Sequence, residues 1–424
     1  MKILFILNAV THYYNLILNQ INNQPGIEIL YIYPKNKSNN IGEGVFQTTD
    51  RANFKLIDME EQVDTIHNYS YYVGLNDFIK INKPSIIVLS EYHIQSFLFD
   101  ENLLKTIKAF NIKIILKSIP FQKKTYADAI LDFKKKLEIP PELKSLPPFI
   151  RTLVRFFRIN YLYKYAFRDI KARCNFMKNL DAEKKTYNFP DAHVNYIEEA
   201  YEVFGSYGVP KEKIFLTYNS PDTDFYFSVK YKIEKEPRIL PENKYRIVHL
   251  SRLVEWKRVD MLITAVANLK DEYPEIELLV IGEGPEKEKL KKQALALAVD
   301  CKIIFLGGIY NPELLGKYLL SSSIYILAGM GGLSINDAMI FGLPVICSVC
   351  DGTEKFLVKE GYNGLYFEKE NQKSLESKIK LLFSNHELRK KMGENSVQII
   401  KDEINIHTVV DGYLKAFSYV MKHS

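Results

Sequence analysis

Two basic residues and a glycine pair followed by a carboxylate are the residues of this sequence best suited to chemistry. Arg252 and Lys257 stand between an apolar run and a helical pattern, and Gly331 and Gly332 precede Asp337 in the stretch AGMGGLSINDAMIFGLPVI. Fixed cations near a helix start suit a diphosphate, and glycine amides at a helix start suit anionic oxygens. Asp337 can accept hydrogen bonds from the two hydroxyls of a ribose. The alternatives are a solvated basic loop and an ordinary tight turn.

Other residues extend this candidate nucleotide-binding set. Gly282 begins a GEGP turn between a strand-like run and a helical pattern, and Gly308 ends the run KIIFLGG. Leu333 and Ser334 stand where the backbone after the glycine pair enters its helix. Each motif follows an apolar run, and the ligands of open α/β sheets bind at the carboxyl ends of strands. The GEGP turn alone is a weak signal because many such turns contain glycine.

Apolar runs alternate with helical patterns along the chain, which predicts an α/β fold with doubly wound parallel sheets. The chain has 424 residues, and this length favours two domains. We expect one Rossmann-like domain over residues 1–228 and a second over residues 229–405, joined by a charged linker at 228–244. An apolar stripe predicts that the helix at 406–424 packs back on the first domain. The predicted strands of the first domain are residues 2–7, 28–33, 85–89, 112–116 and 214–218.

Taken in order, the motifs of the second half resemble the retaining nucleotide-sugar glycosyltransferases of the GT-B fold, family 4. The matching segments are SRLVEWKRVDMLITA, VIGEGPEKEKLKK, FLGGIYNPELLGKYLLSSSIYIL, INDAMIFGLPVICS and DGTEKFLVKEGYNGLYF. In the first half, VPKEKIFLTYNSPDTDFYF is similar to the segment that closes the family's first domain. The resemblance implies two domains that face a cleft, and hexosyl transfer to an acceptor hydroxyl without a metal or cofactor.

The resemblance also implies roles for individual residues. The family's arginine and lysine bind the donor diphosphate, which implies catalytic roles for Arg252 and Lys257. Asp337 takes the position of the second glutamate of an E-x7-E motif, which binds the ribose. Gly329 takes the position of the first glutamate, which holds the donor sugar, so backbone amides near Gly331 would have to hold it instead. This departure motivates a second hypothesis, a non-catalytic nucleotide- or glycan-binding relative; a nucleotide-sugar epimerase of the same fold is a third.

The first domain offers fewer candidates. His93 follows the strand-like run SIIVLSEY, where the family often has a functional histidine, although a lone histidine is usually structural. Asn8 and His12 follow the first predicted strand, where the family has a glycine-rich acceptor loop, but the glycines are missing. Asp222 and Asp224 spell a DxD, the metal motif of the other glycosyltransferase fold. They lie far in sequence from the phosphate residues, so we expect no metal there.

Residues 144–178 are rich in basic and aromatic side chains, and Asp169 is the only acid among them. A helix opened by the preceding prolines would place Arg151, Arg155 and Arg158 on one face. A basic amphipathic helix with aromatic residues suits an anionic membrane surface. The alternative is a core-packing helix with a solvated face, and nothing here indicates a nucleic-acid-binding fold. We therefore expect a cytoplasmic enzyme, peripheral on the inner face of the membrane, with a glycan or lipid-linked acceptor.

Composition narrows the remaining classes. A net charge of +6 does not mark a dedicated nucleic-acid binder, and four cysteines are too few for a disulfide scaffold. Cys347 and Cys350 form a CxxC, which we interpret as structural because no second ligand pair is near it. The N-terminal residues lack the features of a signal peptide, and no apolar segment could span a membrane. The family resemblance implies a role in bacterial surface polysaccharide, lipopolysaccharide or glycan assembly, with a UDP-sugar slightly favoured over a GDP-sugar as donor.

Overall fold

Two parallel sheets flanked by helices organise the chain, which confirms the predicted fold class. The computed structural model describes residues 1–7, 11–35, 40–42, 45–46, 49, 52–65, 69–118, 123–137, 159–350 and 352–423. Within these ranges, the side chains of residues 12–13, 40–42, 45–46, 136–137 and 159–171 are not described.

The strands of the first half form one large sheet and two small hairpins. They are β1 (Lys2–Ile6), β2 (Glu28–Pro34), β3 (Asn40–Gly42), β4 (Val45–Phe46), β5 (Lys55–Met59), β6 (Glu61–Asp64), β7 (Tyr69–Tyr72), β8 (Ile86–Ser90), β9 (Lys113–Lys117), β10 (Ala192–Asn195) and β11 (Ile214–Leu216). The large sheet has the order β11-β10-β9-β8-β1-β2-β5, with every neighbouring pair parallel. The antiparallel hairpins are β3–β4 and β6–β7.

The five predicted strands of this sheet are present to within two residues at each end, but β5 and β10 were not predicted. The central strands read as continuous apolar runs, which a parallel sheet covered on both faces requires. By contrast, β5 (KLIDM) is an edge strand with charged residues, and β10 (AHVN) has four residues, two of them polar. Neither segment carries the apolar signal of a buried strand.

The second sheet has six parallel strands. They are β12 (Arg246–Leu250), β13 (Glu277–Ile281), β14 (Ile303–Gly307), β15 (Ile324–Leu327), β16 (Val345–Cys347) and β17 (Gly364–Tyr366). Their order is β14-β13-β12-β15-β16-β17. The chain moves outward from β12 in one direction through β14 and then returns to the other side of β12 with β15. The loops that follow β12 and β15 therefore leave the sheet in opposite directions and open a crevice between them.

Helices cover both faces of the sheets. They are α1 (His12–Asn22), α2 (Leu75–Asn82), α3 (Ile94–Phe99), α4 (Glu101–Ala109), α5 (Tyr126–Leu137), α6 (Ile159–Asn188), α7 (Glu199–Ser206), α8 (Thr223–Ile233), α9 (Val259–Leu269), α10 (Lys287–Ala296), α11 (Pro312–Leu320), α12 (Ser334–Ile340), α13 (Thr353–Leu357), α14 (Gln372–Ser384), α15 (His386–Asp402) and α16 (Ile406–Lys422). The prediction of a linker over 228–244 is wrong for its first residues, because α8 continues to Ile233. Val229 and Ile233 lie one helical turn apart and both enter the second core.

The helix α16 returns to the first sheet, as its apolar stripe predicts. It contacts β10, β11 and α1, and Tyr413 and Phe417 are buried in one core with Phe5. The hydroxyl groups of Tyr14 and Tyr413 lie 2.7 Å apart and join α1 to α16. The last helix is therefore a structural part of the first domain.

The predicted membrane-binding helix lies largely outside the described residues. Arg151, Arg155 and Arg158 fall in the undescribed range 138–158, and the side chains of α6 are described only from residue 172 onward. Among the helices that the structure does describe, none combines the length and the apolar character needed to cross a bilayer. The membrane-surface hypothesis remains a prediction.

Candidate active site

The residues with the strongest sequence signal meet at the crevice of the second sheet. The basic loop, residues 251–258, follows β12, and the glycine-rich loop, residues 328–333, follows β15. These strands are hydrogen-bonded neighbours, with Ile247 opposite Ile324 and Val248 opposite Tyr325. Parallel neighbours end at the same edge of a sheet, so the two loops start side by side. This edge is where open α/β sheets bind their ligands.

Lys257 joins the two loops directly. It is the last residue of a 3₁₀ turn, Glu255–Lys257, and its side chain is buried, with 8% of the residue exposed. Its ammonium group donates hydrogen bonds to the carbonyl oxygens of Met330 at 2.7 Å and Gly331 at 2.6 Å. A buried ammonium needs such partners, because its desolvation is otherwise costly. The lysine is thus fixed in place before any ligand binds.

Gly329 is closed to any side chain by the same packing. The N–H of Met330 donates to the carbonyl oxygen of Trp256 at 3.0 Å, which draws the glycine-rich loop onto the 3₁₀ turn. A Cβ atom at Gly329 would overlap that carbonyl oxygen and would lie 2.7 Å from the Cα of Lys257. The backbone packing around Gly329 therefore excludes a glutamate at this position, and no larger residue fits unless the loop moves.

The amide groups of residues 331–334 are available for a ligand. No backbone N–H in this range donates a hydrogen bond to another group in the described part of the chain. The carbonyl oxygens of Met330 and Gly331 point at Lys257, so the N–H groups of Gly331 and Gly332, antiparallel to them, point away from it. These residues are partly exposed, and the range leads into the first turn of α12. Consecutive outward N–H groups form a cradle for anionic oxygens, and Lys257, on the carbonyl side of the same peptides, adds positive charge behind it.

Asp337 lies one turn into α12 without a polar partner for its carboxylate among the described residues. It is partly buried, and desolvation raises its pKa to about 7. Its negative charge contributes, after burial, to the raised pKa of Tyr226 and Tyr325. The Tyr325 hydroxyl donates to the Ser334 hydroxyl at 2.8 Å, which fixes the start of the helix. A desolvated carboxylate without a partner is suited to accept hydrogen bonds from ligand hydroxyls.

Arg252 occupies the outer side of the basic loop. Its guanidinium carbon lies 6.0 Å from the centre of the exposed Trp256 ring, within the range of a cation–π contact. The residue is partly exposed, unlike Lys257. The two predicted cations therefore differ: Lys257 is held by the backbone inside the crevice, and Arg252 lies at its surface beside an aromatic ring.

The predicted glycines of the neighbouring loops have packing contacts. Gly282 has φ of +145°, and a Cβ atom there would overlap the carbonyl oxygen of Ser251. The N–H of Leu253 donates to the carbonyl oxygen of Glu283 at 2.8 Å, so a backbone hydrogen bond joins the GEGP turn to the basic loop. Gly308 is exposed and lies against the ring of Tyr310. The contacts of Gly282 indicate that it positions the residues around Arg252.

His249 is a site residue that the sequence analysis missed. It is fully buried on β12, with Nδ1 2.8 Å from the carbonyl oxygen of Ile326 and Nε2 2.6 Å from the hydroxyl of Ser251. Burial lowers its pKa to about 4, so the neutral ring donates from Nδ1 and accepts at Nε2. It therefore links the start of the basic loop to the strand that leads into the glycine-rich loop. Only its position two residues before Ser251 could have indicated this role.

Of the three first-domain candidates, the structure describes only the side chain of His93. His93 is buried just before α3, with its ring 5.1 Å from that of Tyr72 and 5.0 Å from that of Tyr92. These contacts give it a packing environment at the carboxyl end of β8. Asn8 lies outside the described residues, and the side chain of His12, the first residue of α1, is not described. The acceptor roles of these residues remain predictions.

The DxD and CxxC motifs have structural contacts. Asp222 caps α8 by accepting a hydrogen bond from the N–H of Phe225 at 3.1 Å, and Asp224 pairs with His407 of α16 at 2.9 Å. None of the four cysteines, all of which lie in the described ranges, forms a disulfide bond, and Cys350 contacts a serine hydroxyl at 3.1 Å. The DxD contacts explain both carboxylates without a ligand.

The two domains meet through polar contacts near this site. Lys355, on α13, forms an ion pair of 2.7 Å with Glu199, on α7. The side-chain amide of Asn336 donates to the carbonyl of Asn219 at 3.3 Å. Cavities of about 610 and 530 Å³ flank the ion pair, and neither is lined by a residue of the basic loop. The second of these contacts joins the domains at α12, the helix that follows the glycine-rich loop.

Comparison with known proteins finds similarity both in sequence and in structure. Residues 231–398 match the model of the family described as glycosyl transferases group 1. An uncharacterized glycosyltransferase of Methanocaldococcus jannaschii is 32% identical over 181 residues, covering 42% of this chain and 45% of the relative. The poly(glycerol-phosphate) alpha-glucosyltransferase of Bacillus subtilis is 28% identical over 185 residues, covering 42% of this chain and 27% of the relative. The matched regions thus span less than two thirds of either relative.

Whole-chain similarity appears at the level of structure. The Anabaena protein HepE, solved in complex with UDP, superposes with a TM-score of 0.65 at 14% identity, covering 99% of this chain and all of that one. The lipopolysaccharide outer core galactosyltransferase WaaB superposes with a TM-score of 0.62 at 14% identity, with 99% of each chain covered. This chain therefore has the GT-B fold, and its second domain carries the sequence features of the group 1 glycosyltransferases.

Proposed function

We propose that this protein is a retaining glycosyltransferase of family 4 that moves a hexose from a nucleotide diphosphate-sugar to an acceptor hydroxyl. The observation that carries the proposal is the cradle in the second domain. It combines Lys257, fixed by two carbonyl oxygens, with Arg252 and the outward N–H groups of residues 331–334. These groups suit a diphosphate, and Asp337 suits a ribose, so the site matches both halves of a nucleoside diphosphate.

The same residues supply the charge that sugar transfer requires. The acceptor oxygen bonds to the anomeric carbon, and the bond from that carbon to the β-phosphate oxygen breaks, leaving its electron pair on that oxygen. The leaving phosphate takes the proton of the acceptor hydroxyl. Arg252, Lys257 and the cradle amides stabilise the charge that develops on the diphosphate, and this stabilisation needs no metal. Attack and departure on the same face of the sugar retain its configuration.

The relatives support a UDP-sugar donor and a cell-surface acceptor. HepE binds UDP, and the Bacillus subtilis relative is named for alpha-glucosyl transfer to poly(glycerol-phosphate). Alpha transfer from a donor with an α-linked sugar is retention. We place the enzyme in bacterial surface polysaccharide, lipopolysaccharide or glycan assembly, at the inner face of the cytoplasmic membrane.

Thermal stability in the presence of nucleotides tests the donor site. A ligand that binds only the folded state at a hundredfold excess over Kd adds about 2.7 kcal/mol to the free energy of unfolding. We expect a rise in Tm with UDP that exceeds the rise with GDP, ADP, CMP or dTDP. Arg252→Ala should remove the rise, whereas Arg238→Ala, a matched exposed arginine outside the crevice, should keep it. An unchanged Tm with every nucleotide would refute the proposal.

Product analysis separates transfer from the other reactions of this fold. We expect UDP release and sugar transfer only when an acceptor is present, with the anomeric configuration retained in the NMR spectrum of the product. An epimerase would instead change the donor sugar without an acceptor, and an inverted product would exclude the retaining mechanism.

Gly329 favours a second candidate, a non-catalytic relative that binds a nucleotide or a glycan. The backbone of Trp256 excludes a sugar-binding glutamate at this position. In this case UDP would raise Tm, but no donor tested with any acceptor would turn over. Turnover that is lost in Lys257→Met would eliminate this candidate.

A further inference from the structure

A second cation lies at the carboxyl end of a strand, in the first domain. Lys117 is the last residue of β9, and its ammonium group lies 5.0 Å from the centre of the Tyr14 ring. Tyr14 belongs to the first turn of α1, the helix that follows β1. The lysine therefore reaches from one strand end toward the helix that follows another strand, at the edge of the first sheet that corresponds to the cradle edge of the second.

Lys117 has no acidic partner in the described part of the chain. The lysine forms no ion pair or side-chain hydrogen bond there, in contrast with Lys123, which pairs with Glu91 at 2.7 Å. Desolvation lowers the pKa of Lys117 to about 8, and no nearby charge opposes this shift. The side chain still reaches the surface in part. A desolvated ammonium without a counter-ion destabilises the folded protein unless a ligand supplies the negative charge.

The surroundings of the ammonium group also favour an anion. The first turn of α1 has no acidic residue, and the side chain of Thr11 does not cap the helix. The first N–H groups of a helix carry partial positive charge, which adds to that of the lysine. The ammonium group of Lys117 and the start of α1 therefore both carry positive charge at this edge of the first sheet.

We propose that Lys117 and the first turn of α1 bind an anionic group, a phosphate or a carboxylate, of the acceptor substrate. The inference rests on the proposed glycosyltransferase function, because it assigns the first domain to the acceptor. It narrows the acceptor to molecules that carry negative charge next to the hydroxyl that receives the sugar. The same phosphate chemistry could instead come from the donor diphosphate, and the experiment distinguishes these two sources.

Binding measurements on the full chain test the site. The probes are glycerol 1-phosphate, its uncharged counterpart glycerol, and UDP, each followed by the rise in Tm. We expect glycerol 1-phosphate to raise Tm and glycerol to have no effect. Lys117→Met should weaken the glycerol 1-phosphate response about tenfold, as expected for the loss of a charge-assisted hydrogen bond, and should leave the UDP response unchanged. Lys117→Met should also raise Tm without ligand, because it removes a desolvated charge.

Two variants control for loss of structure and for general charge effects. Lys117→Arg keeps the positive charge and should retain most of the glycerol 1-phosphate response. Lys113→Met removes a lysine from the opposite end of the same strand and should change neither response. The proposal is overturned if the wild-type protein ignores glycerol 1-phosphate or if Lys117→Met binds it equally well. Loss of the UDP response in Lys117→Met would assign the lysine to the donor. If UDP does not change the Tm of the wild-type protein, the proposed function is refuted. The glycerol 1-phosphate responses of the wild-type protein and the Lys117 variants would still show whether the anion site exists.

Discussion

The two sheets use their carboxyl edges in different ways. At the second edge, Lys257 is held by two backbone carbonyl groups, and the loops around it are joined through backbone hydrogen bonds. At the first edge, Lys117 has an aromatic ring beside it and no ion pair in the described residues. Lys257 is thus fixed before a ligand binds, whereas Lys117 obtains a counter-ion only when a ligand supplies one.

This difference separates a preorganised site from a site completed by its ligand. The diphosphate is common to UDP-, GDP-, ADP- and dTDP-sugar donors, so a rigid cradle can serve any of them. Acceptors differ in size and charge, and a single desolvated cation selects among them without a fixed cage. The second domain should therefore respond to mutation through lost catalysis, whereas the first should respond through changed acceptor preference.

The largest effect is expected from removing the fixed cation. Lys257→Met should lower kcat/KM by about 10²–10³-fold, the cost of losing one donor to a developing oxyanion. Steady-state kinetics with a UDP-sugar would measure this loss. Lys270→Met, at a partly exposed lysine that follows α9, is the matched control and should change kcat/KM less than twofold. Equal activity in both variants would mean that the cradle does not hold the leaving group.

A glycine substitution tests whether the cradle is rigid. Gly329→Ala should lower the free energy of unfolding by about 1–3 kcal/mol and abolish the UDP response, because the new methyl group meets the Trp256 backbone. Gly332→Ala is the control, since a Cβ atom there would meet only the end of the Lys257 side chain at 3.5 Å. Chemical denaturation of both variants measures the difference. A stable, active Gly329→Ala would show that the loop can move aside.

Most of the candidate site residues at the edge of the second sheet could be predicted from the sequence. The Lys117 site at the edge of the first sheet could not. The basic loop, the glycine pair and Asp337 are short patterns that can each be recognised in the sequence, although Lys257 meets the glycine-rich loop only because β12 and β15 are neighbours. The role of His249 depends on Ile326, which comes close only because β12 and β15 are neighbours. Likewise, the environment of Lys117 depends on a helix about a hundred residues earlier in the chain. Contacts between residues that only the order of the strands brings together cannot be recognised from any short stretch of the sequence.

Asp337 should give the donor site a pH dependence of its own. Its pKa of about 7 lies above the ordinary value of 3.8, and ribose hydroxyls bind the ionised form. UDP affinity should therefore fall as pH drops below about 7, and Asp337→Asn should bind about tenfold more weakly with little pH dependence. Calorimetric titrations from pH 6 to 8.5 would compare the two proteins.

The same pKa shift makes a prediction for stability. The folded protein favours the protonated carboxyl group of Asp337. The free energy of unfolding therefore decreases as pH rises from about 4 through 7, because the carboxyl group must then ionise in a desolvated position. Asp337→Asn should then melt at a higher temperature than the wild-type protein at pH 8, although it binds UDP less well. A lower Tm for the variant at pH 8 would mean that the carboxylate has a partner in the folded protein.

The smallest effect of a substitution is expected at the ion pair between the two domains. Glu199→Gln breaks the ion pair with Lys355, which is partly exposed, so stability should change by less than about 1 kcal/mol. Because this pair joins the domains beside the site, small-angle X-ray scattering should show a slightly larger radius of gyration. Glu202→Gln, on the same helix, is the control and should leave the radius unchanged.

The return of α16 to the first sheet has a consequence for synthesis. Residues 406–422 bury one face of a sheet whose last strand ends at Leu216, so about 190 residues are translated between the two. At about 5–20 residues per second this interval lasts roughly 10–40 s. During that time the second domain has all of its strands before the first can close its core. On the ribosome, the domain that begins first is therefore the one that finishes last.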